Sequence, residues 1–180
     1  MTPLARPLGL ALSSLLVVAA PAAAGPYLGL GVGTAPALGE QMQTFAPASR
    51  SGRLELGQRL GPLAIEGAVG GFELVTARAQ EVRSVSLSGG GKLFFNLQGQ
   101  LDAFLRGGVE RTWITAAADA SGYSGDGVYL GGGAELRLAL PVGATSLWID
   151  YSRHQSTLRS GTAELEASLG MWTVGLSVGL

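Results

Sequence analysis

The sequence predicts an all-β chain: an eight-stranded antiparallel up-and-down transmembrane β-barrel that follows a cleaved signal peptide. Three observations carry this. Beyond residue 25, apolar residues recur at every second position in segment after segment, and helical periodicity is absent. The connections between those segments alternate between long and short. Mean hydropathy is +0.32, yet no apolar run is long enough to cross a bilayer as a helix.

Residues 1–24 read as a secretory signal peptide. Arg6 supplies a positive start, residues 8–20 form an apolar run, and Ala22, Ala23 and Ala24 form a small-residue cleavage pattern. Residues 25–180 are then one barrel domain. No cysteine follows the cleavage site, which excludes lipoprotein processing. The chain has 0 cysteines, so no disulfide scaffold holds it. Formal net charge is -1 with no basic patch, which argues against nucleic acid as a partner.

The first strand is expected at 26–33, with Leu28, Leu30 and Val32 on one face and Tyr27, Gly29, Gly31 and Gly33 on the other. A Pro-rich connection follows, too polar for a strand. The second strand spans 52–60, with Leu54, Leu56 and Leu60 opposite Arg53, Glu55, Gly57 and Arg59. Gly61-Pro62 makes a tight turn. The third spans 63–72, with Ile65 and Val69 outward and Glu66 inward. The fourth spans 82–96, with Val85, Leu87, Leu93 and Phe95 outward and Lys92 inward. The fifth, 101–113, alternates most clearly, and only Arg111 breaks its apolar face. A loop covers 116–126. The sixth strand, 127–140, turns Val128, Leu130 and Leu136 outward and Tyr129, Glu135 and Arg137 inward, and ends in a Pro141-Val142-Gly143 turn. The seventh, 145–154, turns Leu147, Ile149 and Tyr151 outward and Trp148, Asp150 and Ser152 inward. A last loop covers 155–162. The eighth strand begins near Ala163, and its pattern slips at 169–171, which reads as a bulge or a loop end. Trp172, Trp113 and Tyr151 fit an upper aromatic girdle and Phe95 a lower one.

The final strand alternates Val174, Leu176, Val178 and Leu180 with Thr173, Gly175, Ser177 and Gly179. Thr173, Gly175, Val178 and Leu180 stand in a spacing that resembles the C-terminal assembly signal of bacterial outer-membrane barrels, although that signal usually ends on an aromatic residue. Through its pattern, the mature chain resembles the small OmpA/OmpX-type outer-membrane β-barrel family. The resemblance implies residence in the outer membrane of a Gram-negative cell. It implies contact with outer-membrane lipid and lipopolysaccharide, and with the barrel assembly machinery during insertion. An extracellular ligand would be met through the loops. No separate peptidoglycan-binding domain is expected, because the chain ends with the last strand.

The inward positions carry Arg53, Arg59, Lys92, Arg106 and Arg137 against Glu55, Glu66, Asp102, Glu110, Glu135 and Asp150. An eight-stranded barrel is about wide enough for side chains to fill, and charges placed there must pair. The near balance of signs predicts a structural plug, with a narrow gated channel as the competing reading. Glycine runs at 89–91 and 131–133 make room for long interior side chains; no helix follows them, so they form no phosphate loop.

His154 and Ser156 lie two apart, on one face of a strand, as a nucleophile and its base require. The placement resembles the lipid A 3-O-deacylases, eight-stranded barrels with a His-x-Ser pair and a downstream acid, here Glu164 or Glu166. That family follows its serine with Asn, and this chain has Thr157. The plain alternative is a loop-edge histidine. A single His and no Cys leave no case for a metal, and no cofactor is expected. The leading expectation is an integral membrane barrel with a structural or surface-interaction role. A lipocalin-like soluble barrel would have its faces reversed.

Overall fold

Period-two alternation builds one continuous antiparallel sheet that closes on itself. The computed structural model describes residues 24–77, 79–116, 122–139 and 144–180. Residues 1–23, where a signal peptide was expected, and 141–143, where a turn was expected, lie outside them. In chain order the strands are β1 (Gly25–Gly33), β2 (Ala37–Leu38), β3 (Phe45–Pro47), β4 (Ser51–Leu60), β5 (Leu63–Thr76), β6 (Glu81–Gln98), β7 (Leu101–Ala116), β8 (Gly122–Leu138), β9 (Thr145–Ser160) and β10 (Ala163–Gly179). Eight of them, β1 and β4 to β10, form the wall, each hydrogen-bonded to the next, and β1 pairs with β10 to complete the ring. The closing seam runs from Tyr27 opposite Gly179 to Gly33 opposite Thr173. Closure leaves the wall without a free edge along those residues.

The outer wall is apolar through its lower part. Leu30, Ile65, Leu105, Val109 and Leu130 are more than half exposed. Trp113, Tyr151 and Trp172 are exposed on the outside, and Tyr151 packs against Trp172 with ring centroids 5.2 Å apart. Above this aromatic level both faces invert. Outward positions become Glu73, Arg83, Arg159, Glu164 and Glu166, while inward positions become Leu74, Val82, Ile114, Leu158 and Leu169. A strand that leaves a lipid-like environment for water must exchange its greasy face for its inner one. The upper barrel therefore carries an ordinary apolar core.

That inversion corrects several expectations. The loop expected at 155–162 is strand: β9 continues to Ser160 and returns through Gly161, whose φ of 60° suits the turn. The slip at 169–171 is neither a bulge nor a loop end, because β10 keeps an unbroken register with β9 from Ala163 to Val178. Arg111 does break the apolar face of β7, where it pairs with Asp126 at 3.2 Å beside Trp113. β8 begins at Gly122, inside the stretch expected to be loop; residues 117–121 of that stretch lie outside the described ones.

The connection after β1 was expected to lack strands, yet it contains two. β2 pairs with β10 and β3 with β5. Between them a 3₁₀ turn, Glu40–Met42, drops Met42 into the apolar core, fully buried beside Leu74, Val82, Ile114, Leu158, Ala167 and Leu169. This strap closes the barrel mouth over β1 and β4, the two shortest wall strands.

Candidate functional site

Every inward charge comes from the pleat of its strand, which turns alternate residues to the lumen. The lumen is filled in levels. At the bottom, Arg59 reaches Asp102 at 2.9 Å and Glu135 at 3.3 Å, and Arg137 reaches Asp102 at 3.3 Å. Asn96 donates to Asp102 at 2.7 Å. The Arg59 guanidinium lies 3.7 Å from the centre of the Phe94 ring. Two cations and two carboxylates cancel at this level.

The middle level holds three of each. Arg106 binds Glu66 at 2.7 Å and Asp150 at 3.0 Å. Arg53 binds Asp150 at 2.8 Å and approaches Glu55 at 3.3 Å. Lys92 sits 3.3 Å from Glu66, which also accepts from the Tyr27 hydroxyl at 3.0 Å. Asp150 is fully buried and Glu55 is 1% exposed. Glu55 is held by charge alone, since neither oxygen makes a hydrogen bond. Trp148 packs beneath this level, 4.5 Å from the Arg53 guanidinium. The indole fits only because Gly31 and Gly175 have no Cβ; one built at Gly31 would lie 3.1 Å from the indole Cζ2 and closer still to its Cη2.

Glu110 stands one level higher, and no lysine or arginine is bonded to it among the described residues. His154 Nδ1 lies 2.6 Å from its Oε2, and Ser156 donates to its Oε1 at 2.9 Å. His154 Nε2 lies 3.0 Å from the Ser152 hydroxyl, and its ring stacks on Tyr129 at 5.7 Å.

The structure thus brings His154 and Ser156 together on one carboxylate, but not on each other. Ser156 faces Glu110 instead of the imidazole it would need as a base. The serine that does face the imidazole is Ser152, which sequence spacing alone did not single out for this contact. It is 1% exposed. Glu164 and Glu166 point outward, to Arg159 and Gln41 respectively, on the opposite face of the wall from His154. Above the ion pairs, a chamber of about 40 Å³ is lined by Ser84, Ser86, Ser88, Thr112, Thr173 and His154, among others. That size suits ordered water; an acyl ester would not fit. The Ser84 hydroxyl is buried there without a protein partner. Among the described residues, no three His, Asp or Glu side chains converge as a metal site would require.

Of the residues expected to signal assembly, Thr173 is 2% exposed and faces the chamber, Gly175 underlies Trp148, and Val178 and Leu180 face outward. The apolar core around Met42 was not foreseen. Its one trace in the sequence was the slip at Leu169, where the inward position turns greasy.

No family model and no curated relative matches the chain. Among solved structures it is similar to Neisserial surface protein A, at 15% identity over 87% of this chain and 97% of that one, with a TM-score of 0.66. The fold is that of a small transmembrane β-barrel. It is also similar to AlkL, solved in lipid bilayers, at 12% identity over 87% of this chain and 90% of that one (TM-score 0.54). A third similar structure is Ail, the attachment invasion locus protein of Yersinia pestis, at 13% identity over 87% and 99% (TM-score 0.53). At these identities the likeness is one of fold.

Proposed function

We propose that the chain is an integral outer-membrane barrel with a closed lumen, serving a structural or surface-interaction role through its upper rim and loops. One observation carries this reading: the wall is greasy outside and charged inside up to the aromatic level, and reversed above it. Such a surface is stable only with hydrocarbon around the lower part and water around the upper. The lower lumen is occupied by neutral sets of paired charges, so it serves as packing. It is not a path for ions.

Under this reading outer-membrane lipid and lipopolysaccharide surround the lower wall. The barrel assembly machinery engages the last strand, with Thr173, Gly175, Val178 and Leu180 as its signal. An extracellular ligand meets the rim. The test is gel mobility of the protein from isolated membranes, boiled and unboiled in detergent. A mobility shift with the protein in the outer-membrane fraction is the expected result. A soluble protein without a shift would overturn the reading.

A further inference from the structure

We propose that the outer wall carries a seat for one lipid A molecule, with an acyl chain in a furrow across β7, β8 and β9 and a phosphate on Arg153. This rests on the membrane reading above and names one lipid that the wall selects. The furrow measures about 570 Å³ and is walled by Leu105, Val128, Leu130 and Tyr151. Its floor is backbone, because Gly132 occupies an outward position between Leu105 on β7 and Tyr151 on β9. The walls are almost wholly apolar, as a hydrocarbon chain requires.

What makes the furrow more than a dent is the charge at its upper end. Arg153 lies two residues above Tyr151, on the side of the loops, where headgroups would stand over the aromatic level. Three other exposed arginines, all on wall strands, are already neutralised: Arg83 by Glu73 at 3.6 Å, Arg111 by Asp126 at 3.2 Å and Arg159 by Glu164 at 3.2 Å; exposed Arg50 lies off the wall, between β3 and β4. Arg153 reaches no carboxylate among the described residues; its contact is the Ser168 hydroxyl at 3.5 Å. An apolar slot ending in an uncommitted guanidinium is complementary to an amphiphile with an anionic head. On the loop side of an outer-membrane barrel that amphiphile is lipid A.

The experiment is native mass spectrometry of the full mature barrel in detergent, titrated separately with lipid A, dephosphorylated lipid A and phosphatidylethanolamine. Lipid A is expected to be retained. Arg153→Ala should weaken retention roughly tenfold, the loss of one charge-assisted hydrogen bond. Val128→Trp should weaken it by filling the furrow with no change of charge. Dephosphorylated lipid A should bind the unaltered protein no better than lipid A binds Arg153→Ala. Both variants should keep the heat-dependent gel shift, since both side chains lie outside the barrel. Lipid A retention indifferent to both substitutions would overturn the seat, as would equal retention of phosphatidylethanolamine. In either case the shift would persist, so the membrane reading would stand. An unaltered protein with no shift would remove both.

Discussion

Asp150 shows how much one side chain can hold. It is fully buried and bonds two guanidinium groups at once, Arg53 and Arg106. Replacing it with alanine leaves two cations facing each other in a closed space. Breaking a buried pair this way costs about 3–5 kcal/mol. The expected outcome for Asp150→Ala is a large fall in the urea midpoint, read from the fraction of heat-shifted protein. Ser156→Ala should behave quite differently. It removes one hydrogen bond to Glu110, worth about 1 kcal/mol. Cells expressing either form should show identical lipid A by mass spectrometry, because Ser156 does not meet the His154 imidazole; altered lipid A that reverts with this substitution would reinstate a hydrolase.

At the scale of the element, β10 and the strap after β1 matter most. Gly175 on β10 faces Trp148, and a Cβ there would also lie 2.6 Å from the Leu30 carbonyl across the seam. Gly175→Val should therefore stop closure, and membranes from cells making it should lack the heat-shifted band. Met42 offers the opposite contrast. Met42→Asp buries a charge among Leu74, Ile114 and Leu158 with no cation to meet it. The strap should detach while the wall survives. Trypsin should then cut at exposed Arg50 in protein that still shows the gel shift, and cut the unaltered protein far more slowly.

The same two elements show what a sequence can reveal. Wall strands such as β7 were legible because lipid on one side and a packed lumen on the other impose opposite chemistry at alternate residues. The interior charges were legible for the same reason, although their grouping into neutral levels was not. Pairing joins Arg53 to Asp150 and Arg59 to Asp102, partners 97 and 43 residues apart. The upper half of β9 was hidden because Gln155 and Arg159 put polar residues outward, where the lower wall has aliphatic ones; the start of β10 near Ala163 was legible, but the same reversal at Glu164 and Glu166 made its pattern look slipped. Alternation continued, but with its sign reversed. β2 and β3 are two and three residues long, too short to show any period.

For the whole molecule, the levels of paired charge and the apolar core form successive barriers across one lumen. A pore must offer an ion a continuous polar path, and here Leu74, Leu158 and Leu169 interrupt it above while Trp148 obstructs it below. The reconstituted protein should be silent in planar bilayers, with no discrete conductance steps. Met42→Asp should remain silent, since the ion-paired levels lie below the strap. Steps that change with Arg106→Ala would instead establish a channel.

The strap has one more consequence. β1 and β4 stop at Gly33 and Ser51, while β5 and β10 on either side rise well beyond them. Alone, those taller neighbours would display bare amide and carbonyl groups above the notch. β2 covers Leu169 and Gly170, and β3 covers 74–76. A membrane crowded with copies of this protein would otherwise be crowded with templates for strand exchange. Protein lacking residues 37–47 should clump with its own kind in detergent, and light scattering would show whether these short segments keep neighbouring molecules apart.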